Sequence, residues 1–395
     1  MSPESPILSD HRVPNYKRSG LVFDHGEGCR LHAADGTTWL DFLSGIGVNA
    51  LGHGHPALVE ALRDQAGRLL HVSNIYDHPL SEQVAACVAE ACGLDLVFFS
   101  NSGTEAMECA LKLARRWQRA QGKDDRTRFL ALESSFHGRT FGALSITWNE
   151  AYRAPFAPLV PGVDFVPAGD VAALEAALAT GTHAALVLEP IQGESGVLPL
   201  AADYLRAARE LTERHGALLV TDEIQCGSGR TGTFLFGQQA GIVPDVVTLA
   251  KPLAGGLPLG ATVARREVGE CLVPGDHGST YGGGPLVCRA ALVFLTELFD
   301  RGLLGRVAEA GARFAAGLDA LVARSPRVAA RRGHGLMQAL VLEEDAAPIY
   351  QALLDRRLLV NACGKRVLRF LPPYVVTDDE LDEGLAILAE VLDPA

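Results

Sequence analysis

The chain has 395 residues, of which 48% are hydrophobic and 21% charged, and its formal net charge is −12. That length exceeds what one core usually organises, so two domains are expected, and the composition excludes a disordered or fibrous protein. The negative charge and the absence of any dense Lys/Arg run argue against nucleic acid as a partner, because non-specific binding there rests on basic patches.

The eight cysteines, Cys29, Cys87, Cys92, Cys109, Cys226, Cys271, Cys288 and Cys363, form no CxxC pair and no disulfide-framework spacing. Reduced thiols are therefore expected. The opening Met1-Ser2-Pro3-Glu4 lacks a basic flank followed by an apolar stretch, and no run approaches the roughly 18 apolar residues of a membrane span. The expectation is a cytoplasmic protein that does not engage a membrane.

In chain order, a strand at residues 96–100 leads through Asn101-Ser102-Gly103-Thr104 into a helix over 105–117. Further apolar runs at 128–132, 184–189, 217–223 and 246–250 alternate with helical text. Continuous apolar strands of this kind are buried on both faces, so an α/β fold with a mostly parallel central sheet is predicted. From about Gly284 the text turns to long helices, an apolar run at 335–342, a helix near 346–357, a strand near 367–371 and a final helix. This reads as a smaller α+β C-terminal domain. The division predicted is an N-terminal segment, 1–45, packing with the small domain, a large domain, 46–283, and the small domain, 284–395.

Polar residues follow the strands directly: Ser102-Gly103-Thr104, Glu189, Asp222 and Lys251. Ligands of open α/β sheets lie at strand carboxyl ends, so these residues should converge on one crevice. Lys251 is an amine at the end of a buried strand, before Pro252-Leu253-Ala254-Gly255-Gly256. A lysine taken alone is ordinarily solvated, since an unpartnered buried ammonium is costly. Asp222 ends another strand, where a carboxylate holds a pyridinium nitrogen protonated and maintains an electron sink. Helix capping or an ion pair explains Asp222 equally well. Ser102-Gly103-Thr104 offers free N–H groups at a helix start, suited to a phosphate, although capping alone also accounts for it. Together the three features point to pyridoxal 5'-phosphate (PLP), with Lys251 and Asp222 as catalytic groups.

Longer blocks carry a resemblance. They are Gly45-Ile46-Gly47-Val48-Asn49-Ala50-Leu51-Gly52-His53, Phe136-His137-Gly138-Arg139-Thr140, Glu189-Pro190-Ile191-Gln192-Gly193-Glu194, Thr221-Asp222-Glu223-Ile224-Gln225, Gly229-Arg230-Thr231-Gly232, Thr248-Leu249-Ala250-Lys251 and His277-Gly278-Ser279-Thr280-Tyr281-Gly282-Gly283. In these the chain resembles the subgroup III aminotransferases of PLP fold type I, from about Tyr16 to the C-terminal helix. The resemblance implies that Lys251 holds PLP as a Schiff base and shuttles protons. It implies that Ser102, Gly103 and Thr104 bind the phosphate, that Phe136 stacks on the cofactor and that Gln225 lies near its ring hydroxyl. It also implies a homodimer in which Thr280 completes the phosphate site of the neighbouring subunit, with Ser279 beside it at the substrate.

The same resemblance maps two carboxylate contacts of 2-oxoglutarate to Arg139 (distal) and Arg369 (proximal), and a mobile counter-charge to Glu194. Arginine suits both contacts because its fork matches a carboxylate. Ornithine aminotransferases carry a tyrosine within the stretch written here Gly45-Ile46-Gly47-Val48. Its absence favours an N-acylated ω-amino donor such as N-acetylornithine, with succinylornithine, N-acyl-lysine, ornithine and 4-aminobutyrate as alternatives. A PLP aminomutase would keep Lys251 and Asp222, but Arg369 and Glu194 argue against one; a non-catalytic PLP-binding regulator fits poorly with a retained lysine. Pro252, Ser195, Met107 and Gly284 depart from the residues usual in the family. His53 and His55 lack a third ligand of suitable spacing, so no metal is expected, and Gly282-Gly283-Gly284 is no nucleotide fingerprint.

Overall fold

The structure, a computed structural model, describes residues 11–393. The opening residues, on which the targeting expectation and the start of the 1–45 segment rest, lie outside the described residues.

Seven strands form the central sheet in the order Leu96–Ser100, Gly260–Ala264, Val246–Leu249, Leu218–Asp222, His183–Leu188, Arg128–Leu132, Val163–Val166. Gly260–Ala264 runs antiparallel to both neighbours, while the other pairings are parallel. Leu218–Asp222 and His183–Leu188 are buried throughout. Their alternate residues feed two different cores. Leu186, Leu188 and Leu219 face helices Val171–Leu178 and Ala202–His215, whereas Ala185, Val187 and Val220 face helix Gly103–Ala120. A period of two with both phases apolar is what a doubly covered sheet requires. The predicted strands recur within one residue at each end, and the 105–117 helix extends to Gly103–Ala120. Val163–Val166 and Gly260–Ala264 were not predicted.

A second sheet, antiparallel, is built from Val328–His334, Met337–Leu342, Val367–Phe370 and Asn361–Ala362. Helices Leu303–Arg324 and Ala346–Asp355 pack against it, and Asp378–Leu392 packs against both of these helices. A third sheet joins the two ends of the chain: Phe23–Glu27, Arg30–Ala33 and Thr38–Asp41 are extended by Leu358–Leu359, which pairs parallel with Thr38–Asp41. Among the described residues no helix is long and apolar enough to cross a membrane.

Candidate active site

The carboxyl ends of the parallel strands open on one cavity of about 410 Å³. At one side, Ser102 caps helix Gly103–Ala120 by accepting the Glu105 N–H at 3.3 Å. Among the described residues no hydrogen bond uses the amides of Gly103 and Thr104, as expected for a first helical turn. Glycine at residue 103 leaves room for Ile224, since a Cβ there would lie 2.7 Å from Ile224 Cδ1 and force that side chain to move. The Thr104 hydroxyl accepts the Arg139 and Thr140 amides, both at 3.2 Å, and so fastens the segment carrying Arg139 to this helix. Arg139 is exposed at the cavity wall, its guanidinium carbon 3.8 Å from the Tyr152 ring centroid and 5.4 Å from that of Phe136.

Asp222 is buried at 4% exposure. One of its oxygens pairs with His137 Nδ1 at 2.8 Å and the other accepts the Ile224 amide at 3.1 Å. His137 Nε2 is buried and has no hydrogen-bond partner among the described residues. Glu189 lies beside Asp222, accepting the amides of Phe136 (2.8 Å) and Gly193 (3.2 Å). Burial and the Asp222 charge push its pKa well above the usual carboxylate value.

Lys251 opens the turn Lys251–Ala254 with φ of 35°, a left-handed conformation that a non-glycine residue adopts only under constraint. Burial lowers the pKa of its amine, against the pull of Asp222 and Glu194. The amine is thereby brought closer to the range in which it both takes and gives a proton.

Behind Gln225 lies a second cluster. Arg369, 1% exposed, donates through Nη1 to Glu194 Oε1 (2.7 Å), Gln225 Oε1 (3.0 Å) and the Gly193 carbonyl (3.1 Å), and through Nη2 to Asn361 Oδ1 (2.8 Å). Burial works to raise the Glu194 pKa, but the Arg369 guanidinium wins and holds it below the usual value. A Cβ at Gly193 would collide with the Gln225 side chain, so glycine is what lets this cluster close.

The cavity therefore gathers the predicted Ser102, Gly103, Thr104, Phe136, Arg139, Asp222, Gln225 and Lys251 on its lining. Glu194 and Arg369 reach it through Gln225. Ser279 and Thr280 do not line it; they lie in a neighbouring recess of about 340 Å³ that meets it at Asn101, and Thr280 is exposed. Residue-by-residue reading gave no role to His137, Asn361, Tyr152 or Cys363. His137 stands inside the Phe136-His137-Gly138-Arg139-Thr140 motif, whereas the other three carry no local signal. His53 bonds Asp41 Oδ2 at 2.9 Å, and Asp41 Oδ1 accepts the Leu43 and Ser44 amides. The histidine thus shapes the turn that leads to Gly47 and Val48.

Glu223, next to Asp222, points away from the cavity and accepts the amides of Phe236 and Gly237, both at 2.8 Å. Burial, the largest influence, pushes its pKa from an ordinary 4.5 up to about 7. The folded protein then binds this proton more tightly than the unfolded chain. The stability it contributes is full below pH 4.5 and is lost as pH rises to about 7, a total of about 3 kcal/mol. Glu223→Gln should flatten that slope in thermal melts across this window. An unchanged slope would show that Glu223 does not titrate there.

The sequence pattern of the class-III aminotransferases matches residues 13–392. The chain belongs to that family, and it is a PLP-dependent aminotransferase. It is 44% identical over 390 residues to an acetylornithine aminotransferase of Methanopyrus kandleri, covering 98% of each chain. It is 45% identical over 383 residues to one from Mycolicibacterium smegmatis, covering 96% of each. Among solved structures it superposes on the ornithine aminotransferase of Toxoplasma gondii with a TM-score of 0.93 at 34% identity, covering 97% of this chain and 92% of that one. On the acetylornithine aminotransferase of Elizabethkingia anophelis the TM-score is 0.87 at 30% identity, covering 98% and 97%.

The site fits the cofactor. Unspent helix amides at Gly103 and Thr104 suit its phosphate, a buried carboxylate at Asp222 suits its ring nitrogen, and a buried amine at Lys251 suits its aldehyde. When bound, PLP supplies the electron sink that makes the carbon bearing the substrate amine acidic.

Proposed function

We propose that this aminotransferase moves the terminal amino group of N-acetylornithine to 2-oxoglutarate, giving the semialdehyde and glutamate, as a step of arginine biosynthesis. The observation that carries this reading is the Arg369–Glu194 pair. 2-Oxoglutarate brings one carboxylate next to its reacting carbon and one at its far end, which suits Arg369 and Arg139 respectively. An ω-amino donor has no carboxylate beside its reacting carbon. Its own α-carboxylate goes to Arg139, and Arg369 would be left as an uncompensated buried charge, which is costly. Glu194, a third exposed and already on Arg369, supplies that charge and leaves when the keto acid arrives.

In this reading Gly103 and Thr104 bind phosphate through their amides and Ser102 holds the helix start that presents them. Phe136 covers the cofactor, Gln225 meets its ring hydroxyl, Asp222 keeps its nitrogen protonated and Lys251 carries the proton at Nζ. The support for the acylated donor is twofold. Relatives at 39–45% identity are named acetylornithine aminotransferases. Residues 45–48 also place only glycine and aliphatic groups near Lys251, with nothing to meet a free α-ammonium.

The same reading makes the enzyme a homodimer, with Thr280 of the partner subunit completing each phosphate site. Leu69, Leu70, Ile75, Tyr76 and Tyr281 are exposed apolar residues on the segments around the Thr280 recess, tied together by the His71–Tyr281 ring contact and the Asn74–Ser279 bond. Such a patch suits a second copy. Unpaired thiols fit a reducing cytoplasm.

With 2-oxoglutarate as acceptor, kcat/KM for N-acetylornithine should exceed that for ornithine and 4-aminobutyrate by at least roughly tenfold, the discrimination expected where a pocket leaves polar groups of the wrong substrate unpaired. A preference for either of those amines would overturn the donor assignment. Sustained turnover without a keto acid would overturn transamination.

A further inference from the structure

The Glu194 carboxylate sits on a loop held through the backbone at Gly193, Glu194 and Gly196 and through the side chain at Ser195. Gly193 N–H donates to Glu189 Oε1 at 3.2 Å, and Gly193 O accepts Arg369 Nη1 at 3.1 Å. The Glu194 carbonyl accepts the Cys363 thiol at 2.9 Å. Ser195 Oγ donates to the Ser134 carbonyl at 2.6 Å, and Gly196 O lies 3.5 Å from Arg332 Nη1. Apart from Glu189, the fasteners come from distant parts of the chain: Ser134, Arg332, Cys363 and Arg369. The Glu194 side chain, 36% exposed, is held at its end by Arg369 alone among the described charged groups within ion-pair distance.

We propose that Cys363 and Ser195 are positioning residues that set donor selectivity: by pinning the backbone on either side of the Glu194 peptide, they make the gate over Arg369 a side-chain rotation about a fixed point. The inference rests on the proposed function, in which Glu194 pairs with Arg369 for the ω-amine and withdraws for a carboxylate. A fixed backbone returns the carboxylate to one position on Arg369 after each cycle. A loosened backbone leaves Arg369 uncovered for part of the time. Substrates with a carboxylate beside the reacting carbon then gain, and those without one lose. Neither residue touches the reacting atoms in this account. Cys363 is buried at 6% exposure; its thiol meets the carbonyls of Gly193 and Glu194 on this loop, while its own amide is held by the Val367 carbonyl.

The test uses the PLP-loaded enzyme and single-turnover rates followed by the absorbance of the bound cofactor. N-acetyl-L-ornithine and L-glutamate serve as alternative donors, and the ratio of their second-order rate constants is the readout. One hydrogen bond is worth about 1 kcal/mol net, so Ser195→Ala and Cys363→Ala should each lower the N-acetylornithine/glutamate ratio roughly three- to tenfold. The glutamate rate should rise while the N-acetylornithine rate falls. Cys363→Ser, which keeps a donor at the same place, should stay within roughly twofold of the parent.

Rates for the two donors that fall in parallel would mark a merely structural role and overturn the proposal, as would a Cys363→Ser variant no better than Cys363→Ala. Glu194→Ala separates the two layers. If it collapses the ratio while the Ser195 and Cys363 variants do not, the clamp fails and the proposed function stands. If Glu194→Ala leaves the ratio unchanged, the donor reading fails and the clamp falls with it.

Discussion

Lys251→Ala is expected to lower turnover by at least about four orders of magnitude, the combined scale of losing a covalent anchor and a positioned acid–base group. It should also abolish the absorbance that marks the cofactor joined to the protein. The physical reason lies in the surroundings of the amine. It is buried, its pKa is lowered chiefly by that burial, and Asp222, Glu194 and Arg369 set the charge around it. Among the described residues no other lysine lines the cavity. Alanine at φ of 35° carries its own strain, so a loss with that variant alone has two explanations. Lys251→Gly removes the amine and relieves the backbone, and Lys251→Arg keeps a cation that cannot give up its proton. All three should be equally silent. Lys251→Gly turning over at more than roughly a hundredth of the parent rate would sink the assignment, since acid–base catalysis alone is worth at least that much.

Asp222→Asn should cost about three orders of magnitude in kcat/KM, with Asp222→Ala equal or worse. A carboxylate at the cofactor nitrogen is the protein's main hold on its electronics. Asparagine preserves the shape and can still accept the Ile224 amide, so it isolates charge from packing. Alanine in addition strands His137, whose Nε2 already lacks a partner among the described residues, with its Nδ1 unpaired as well. The alanine variant should therefore melt earlier than the asparagine variant, while both are nearly inactive. An asparagine variant within roughly tenfold of the parent would show that the Asp222 charge does not drive the chemistry.

The contrast between these two residues and the Arg369 cluster shows what a sequence exposes of such a site. Lys251 and Asp222 each end an apolar run, so the strand that places them is visible in the letters beside them. The central strands were legible for the same reason: Leu186 to Leu188 and Leu218 to Val220 are apolar in both phases, which only a sheet covered on both faces tolerates. Val163–Val166 carries Asp164 and is only partly buried, and Gly260–Ala264 consists of small residues after a glycine-rich stretch, so neither has that signature. The pairing of Glu194 with Arg369 spans 175 residues and has no periodic signal. It was reached through resemblance alone, and its Asn361 and Cys363 contacts were not reached at all. Long-range polar contacts depend on where two chain segments meet, and a local pattern does not encode that meeting.

The pairing of Leu358–Leu359 with Thr38–Asp41 bears on the order in which the molecule can be made. During synthesis the strand Thr38–Asp41 leaves the ribosome more than three hundred residues before its neighbour is translated, and until then it presents an unpaired edge. Asp41 belongs to that strand, and through it the bend toward Gly47 and Val48 is tied to a contact of very high sequence separation. A nascent chain can therefore complete its central sheet, with Lys251 and Asp222 already in place, while one wall of the pocket is still waiting for its buttress. A ribosome stalled shortly before residue 358 would hold a half-built pocket and an open β-edge, the kind of intermediate that chaperones are needed to shield.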